Sequence, residues 1–406
     1  MIQRDVVRRP VVAVAAAAVL LGVLYAVLVP PGLPYDEPSH WQNVVFLLEH
    51  GRLFDLRDAD VSYEAQQGPL AYLFYAVPAG LVRLFGLSSS TQFVVARLTG
   101  LILLVALVVS SYKLGRLVVP QRQVVAVVAT GVVCLNPMVV AMASSIQNDV
   151  LALVLAVTAM TITAEPQPLT RPKAALLGLL TGAALLTKIT VAPAVIVVGL
   201  VLILRRTSMA RLATVCVVAL TVSGWWFARN VFLYGDLTGR AGVSARGFEF
   251  PAAPVRDLGG AKDLLAGMIT YLWVPTEYYR NVIDLPPAVR AAIALLTFVL
   301  VTLGLRPVVL HRRILRGTAA QVVLATAALA LLTWIATRFA VQGVSARTAF
   351  VALPAWGLLA AAAVVRSRSA STRWGVIAVA VLVAILHVAI LVLTTRTLLP
   401  VELLRL

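Results

Sequence analysis

Only two cysteines occur in 406 residues, Cys134 and Cys216, and both fall inside apolar runs. That leaves neither a disulfide framework nor a cysteine-based metal site. Charge is scarce too: 13% of the residues are charged, and 17 acids stand against 34 Lys and Arg. No glycine-rich loop of the kind that cradles a nucleotide's phosphates is present, and no Gly/Ser linker, internal repeat or soluble domain breaks the chain. The net charge of +17 is not arranged as a basic and aromatic stripe, which argues against nucleic acid as a partner.

What fills the chain instead is apolar. It is 61% hydrophobic with a mean hydropathy of +0.94, far outside the range of a soluble domain and expected of a polytopic membrane protein. The first run, Val11 to Val29, follows Arg4, Arg8 and Arg9. It is long enough to span, and "VPPGLPYDEP" offers no small-residue cleavage site, so it reads as a retained first helix.

Basic clusters set the expected orientation. Residues 1–10, 113–122, 165–173, 205–211, 306–317 and 366–373 hold 18 of the 34 Lys and Arg but only Asp5 and Glu165 of the 17 acids. Placing all six in the cytoplasm follows the positive-inside rule. It requires crossings near 11–30, 93–112, 123–141, 150–164, 174–187, 190–204, 212–228, 289–304, 319–336, 348–365 and 374–394. The expectation is an all-α bundle of about eleven transmembrane helices over 1–406, N terminus cytoplasmic, in the plasma membrane. Residues 31–92 form a first outer loop and 229–288 a second. The apolar stretch 67–86, interrupted by Pro78, Gly80 and Arg83, is expected to be re-entrant or interfacial, because a crossing there would switch the side of every later basic loop.

This orientation gathers polar groups on one side: "YDEPSH" (35–40), "SSIQND" (144–149), "LTK" (186–188), "RNVFLYGD" (229–236) and "RFAVQGVSARTAF" (338–350). Charged groups at the boundary of a helix bundle need partners or a polar ligand. Asp36 and Glu37 are adjacent, so their side chains diverge, one free to meet a substrate hydroxyl and the other a helix or a cation. The competing reading is that Asp36, Glu37 and Ser39 cap the helix that follows. That helix, with apolar residues at 41, 44, 45, 47 and 48, reads as amphipathic and interfacial, anchored by Trp41, with His40 close to the carboxylates. A metal held by Asp36, Glu37 and His40 has no second ligand cluster to support it. "DAD" at 58–60 has the spacing of a nucleotide-sugar metal motif but reads as solvated charge. Asp149 fits a first-turn acid, Lys188 a snorkelling cation, and Arg229 a neighbour of the Trp225–Trp226 belt. Arg347, like Arg338 near Gln342, fits either a lipid phosphate or a substrate.

The ordered set "DE" after the first helix, "GPL" (68–70), "ARLTGLILLVALVVSSYKLGR" (96–116), Asp149 after an "NP" helix, "GLLTGAALLTK" (178–188), "WWFARNVFLYGD" (225–236) and a late "QG…R…ALPA" resembles the GT-C class of polyprenyl-phosphate-sugar glycosyltransferases. That class includes protein O-mannosyltransferases and lipid A aminoarabinose transferases. The resemblance covers about residues 30–360. It implies inverting transfer of a sugar from a polyprenyl phosphate to a glycan, protein or lipid acceptor at the outer face. Asp36, with Glu37 beside it, and Asp149 match the family's two loop acids. Asp36 is then the candidate base, while His40, Lys188, Arg229, Gln342 and Arg347 are candidates for binding substrate or lipid phosphate, and a divalent cation stays open. Two departures stand out: "QGPL" where the family often has His or Lys with two prolines, and "QGVSARTAF" where it often has "QGRYL" or "PRYL". A lipid or sugar transporter and an inactive subunit of an envelope-assembly complex are the alternatives. The charges cluster at one side, with no repeat, which favours the enzyme over the transporter.

Overall fold

The structure is a computed structural model that describes residues 2–32, 36–248, 257, 259–261, 272–274, 287–310, 317–340, 346–365 and 370–395. Among these there are helices and no strands. In chain order the helices are α1 (Ile2–Leu28), α2 (Glu37–His50), α3 (Leu70–Leu84), α4 (Ser89–Thr99), α5 (Leu101–Val118), α6 (Gln123–Cys134), α7 (Pro137–Ala143) and α8 (Asp149–Ala164). They continue with α9 (Arg171–Thr187), α10 (Ala192–Leu204), α11 (Met209–Tyr234), α12 (Arg240–Ala245), α13 (Pro287–Leu310), α14 (Thr318–Ala340), α15 (Leu353–Val364) and α16 (Ala370–Thr395). Short 3-10 turns lie at Tyr63–Gln66, Ile189–Val191 and Ala346–Ala352.

Seven of the eleven expected crossings coincide with helices long and apolar enough to cross a membrane. The crossing at 123–141 is instead two helices, α6 and α7, bent by 58° at a short break. Asn136 makes that break: its Oδ1 accepts from the amides of Met138 (2.9 Å) and Val139 (3.3 Å), starting α7 afresh at Pro137. The crossings at 150–164, 174–187 and 190–204 correspond to α8, α9 and α10, of 16, 17 and 13 residues. These are shorter than the ~20 residues of a full span, so among the described residues length and composition alone mark seven or eight spans. Stretch 67–86 holds the 15-residue α3, roughly 22 Å long against ~30 Å of hydrocarbon. At the start of the expected second loop, α11 runs on to Tyr234.

The packing suits a lipid surround. Large apolar side chains such as Leu20 and Val27 of α1, Leu220 and Phe232 of α11 and Phe298 of α13 face outward, while Ala18 and Tyr25 of α1 are buried. Where helices touch, small residues let them approach closely. A Cβ on Gly178 of α9 would sit 2.7 Å from the Val215 carbonyl oxygen of α11, and one on Gly182 would sit 2.8 Å from that of Ala219.

A second core, formed by Trp41, Phe54, Tyr72, Tyr75 and Trp226, lies over α2, α3 and the end of α11. Trp41 is part of it, 2% exposed and edge-on to Phe93 at 5.3 Å, so it is not an interfacial anchor. The alternation of α2 reads the same whether lipid or protein covers its apolar face; here protein does. At the other end of α8, Arg205 donates to the carbonyls of Thr163 (2.7 Å) and Glu165 (2.8 Å). Those basic residues and Asp149 therefore lie at opposite ends of a helix roughly 24 Å long.

Candidate active site

Breaks between helices bring the polar groups together. Between α7 and α8 the turn Ser144–Asp149 is wholly buried, as is Lys188 just after α9. Irregular backbone at such a place is tolerated where protein covers it or a polar cavity lines it. Asp36, between α1 and α2, adopts a left-handed conformation (φ 59°, ψ 0°) and makes no capping bond with its side chain. Its carboxylate is turned inward instead. Gly68 holds the opposite wall: a Cβ there would lie 1.8 Å from the Leu186 carbonyl oxygen, so only glycine lets the 64–68 turn rest on the end of α9.

Around these breaks runs a nearly closed chain of contacts. Arg347 Nη2 donates to Asp36 Oδ2 (2.5 Å), and Nη1 reaches Gln147 Oε1 (3.1 Å) and Asp149 Oδ2 (3.4 Å). Lys188 Nζ donates to Asp149 Oδ1 (2.7 Å) and Asn148 Oδ1 (2.9 Å). Asn148 Nδ2 donates to Gln67 Oε1 (2.5 Å), and Gln67 Nε2 donates to Glu64 Oε2. The Tyr63 hydroxyl, next in sequence to Glu64, donates to Asp36 Oδ1, and its ring stacks on Phe248 with centroids 4.2 Å apart.

Electrostatics divides the titratable groups. Burial, reinforced by the charges of Lys188 and Arg347, lowers the His40 pKa to about 3, so His40 is a neutral ring whose Nδ1 lies 3.0 Å from the Tyr72 hydroxyl. Burial and then the negative charge of Asp36 raise Glu64 to about 8. With His40 and Glu64 neutral, Asp36 and Asp149 balance Lys188 and Arg347, and the cluster carries no net charge.

Asp36 and Glu37 do diverge. Glu37, fully buried, takes Arg97 Nε (2.7 Å) and the Ile146 amide (3.1 Å) on Oε1, and Arg97 Nη2 (2.5 Å) and the Gly32 amide (3.2 Å) on Oε2. Arg97 also donates to the carbonyls of Ala26, Val29 and Pro30 at the end of α1. This pair fixes the α1–α2 corner, and the sequence gives no sign of it beyond an arginine in an apolar helix.

Of the expected site residues, Asp36, Asp149, Lys188 and Arg347 converge, with His40 beside them. Lys188 does not snorkel; it is 7% exposed. Arg229 belongs elsewhere: it donates to the Phe54 carbonyl (2.8 Å), lies 3.9 Å from Asp55 Oδ2 and stacks over Trp226. Gln342 lies outside the described residues. Asp58 of "DAD" pairs with the exposed Arg52 at 2.8 Å. Tyr63, Glu64, Gln67, Gln147 and Asn148 enter the cluster without having been singled out by sequence, although three of them, Gln67, Gln147 and Asn148, lie in quoted stretches. The donor set does not fit a divalent cation. Asp36, Glu37 and His40 each turn to a different partner, Asp36 and Asp149 already face cations, and among the described residues no three His, Cys, Asp or Glu converge as metal ligands would.

The sequence matches no protein-family model and no curated protein. The fold does match solved structures. ArnT from Cupriavidus metallidurans bound to undecaprenyl phosphate superposes with a TM-score of 0.57 at 17% identity, over 92% of this chain and 63% of that one. The Archaeoglobus fulgidus oligosaccharyltransferase in complex with Zn and sulfate gives 0.56 at 15% identity, over 95% and 53%. The archaeal oligosaccharyltransferase AglB from the same organism, in complex with an inhibitory peptide and a dolichol-phosphate, gives 0.51 at 15%, over 95% and 55%. This chain therefore has the GT-C fold, and it spans a little over half to under two thirds of the length of these structures.

Proposed function

We propose that the protein is a membrane glycosyltransferase that moves a sugar from a polyprenyl phosphate to an acceptor hydroxyl at the outer face of the plasma membrane, with inversion. The observation that carries this reading is the buried cluster of two carboxylates and two cations at the helix breaks of a GT-C fold. A sugar on a lipid phosphate brings its own leaving group, so the protein has to supply a base and a cationic cradle. Asp36 accepts the acceptor's proton; the acceptor oxygen bonds to the anomeric carbon from the face opposite the phosphate. The carbon–oxygen bond to the phosphate breaks, and the lipid phosphate leaves with the electron pair onto Lys188 and Arg347. Lys188 offers a point charge and Arg347 a planar fork, two complementary ways to hold phosphate oxygens. Asp149 keeps both cations in place.

The test uses purified protein in liposomes with radiolabelled polyprenyl-phosphate sugars and an envelope extract as acceptor. Label should leave the lipid phase, and Asp36→Asn should cut the rate ~100- to 10,000-fold while the lipid still binds. Label that crosses the bilayer still attached to its lipid would make the protein a transporter.

A further inference from the structure

The candidate base and one candidate phosphate-binding cation are bonded to each other. Arg347 Nη2 lies 2.5 Å from Asp36 Oδ2. With that guanidinium on Oδ2 and the Tyr63 hydroxyl on Oδ1, both oxygens of Asp36 already accept a donor, and an incoming hydroxyl has to displace one of them. The guanidinium is also the group that a phosphate would seek, since forked charge-assisted bonds suit both anions. In this arrangement neither residue can do its work while the other holds it.

The remaining contacts show which bond can give way. Arg347 stays anchored through Nη1, by Gln147 and Asp149, when Nη2 is withdrawn. Asp149 keeps Lys188 at 2.7 Å, and its side chain is 1% exposed. The Asp36 side chain is 9% exposed and sits at a left-handed corner of the backbone. It keeps the Tyr63 hydroxyl on its other oxygen. Exchange at Nη2 therefore gives up the Asp36 contact while the Nη1 contacts to Gln147 and Asp149 and the Lys188–Asp149 bond stay made.

We propose that the donor's phosphate takes Arg347 Nη2 away from Asp36, which frees Asp36 Oδ2 to receive the acceptor's hydroxyl. The proposal rests on the roles given to Asp36 and Arg347 above. It makes the donor the first substrate to bind and its phosphate the trigger for deprotonating the second. An idle site, with Asp36 held by Arg347, does not pull protons from stray hydroxyls or water.

The experiment measures binding of undecaprenyl phosphate to the full-length protein in nanodiscs, with inorganic phosphate as a second arm. If Asp36 competes with the phosphate for Arg347, Asp36→Asn should tighten lipid binding by about tenfold, the worth of one charge-assisted contact. In an Arg347→Gln background the same substitution should change nothing, because the contested group is gone. Equal tightening in both backgrounds would mean simple through-space repulsion, and no tightening in either would mean no competition; both overturn the exchange and leave the proposed function standing. Failure of the unaltered protein to bind the lipid, or equal affinity for inorganic phosphate, would overturn the proposed function itself. Thermal melting establishes that each variant is folded. Should Arg347→Gln fail to fold, Arg347→Lys, a point charge without the fork, serves in its place, and the tightening should then shrink.

Discussion

Two buried side chains beside Asp36 titrate far from their usual range and in opposite senses, and together they shape stability against pH. His40 is held at about 3 against an ordinary 6.5, so between those values only the unfolded chain binds its proton and stability rises with pH. Glu64 is held at about 8 against 4.5, so between those values only the folded chain keeps its proton and stability falls with rising pH. From about pH 4.5 to 6.5 the two slopes cancel. Their combined contribution is a plateau there, declining below 4.5 through His40 and from 6.5 to 8 through Glu64. In Glu64→Gln the alkaline decline should vanish, and scanning fluorimetry of the protein in detergent from pH 4 to 8.5 reads this directly. A decline that survives unchanged would place the raised pKa elsewhere.

At the scale of elements, the 64–68 turn depends on a single missing methyl group. Gly68→Ala puts a Cβ against the Leu186 carbonyl, backbone that cannot step aside, so the turn must lift and draw Gln67 away from Asn148. Overpacking of this kind costs about 1–3 kcal/mol, seen as a lower melting temperature and weaker binding of undecaprenyl phosphate. Gly199→Ala in α10, with nothing within 4 Å of its Cβ, should be harmless. These elements also show what a sequence discloses. Asp36, Asp149, Lys188 and Arg347 are legible because a charge at the edge of an apolar run demands a reason. Arg97 is not, since an arginine near a helix end passes for a snorkelling one until its partner, 60 residues away, is seen. Gln67 and Asn148 are neutral, and only the fold reveals that they link one charged group to another. Trp41 misleads because periodicity reports that a helix face is covered, not by what. At α8, α9 and α10 length alone does not decide a span, because helices packed inside a bundle need not match the bilayer's thickness.

For the molecule as a whole, the site and the basic residues around Arg205 occupy opposite ends of α8, so labelling the two ends tests the orientation expected from charge. With Cys216→Ala as background, an impermeant thiol reagent applied to intact cells should label a cysteine at 58 and not one at 206; the reverse pattern would invert the protein and move the proposed chemistry to the cytoplasmic face. The balance of charge within the site bears on how the protein meets a transmembrane voltage. An elementary charge carried across the full field gains about 2.3 kcal/mol per 100 mV. Asp36, Asp149, Lys188 and Arg347 sum to zero, so at rest the cluster carries no net charge for a membrane potential to drive. On the proposed function, the anionic headgroup of the donor lipid is the first unbalanced charge the site would meet. Any dependence of turnover on membrane potential should therefore appear in the affinity for the lipid and leave the empty protein's stability untouched.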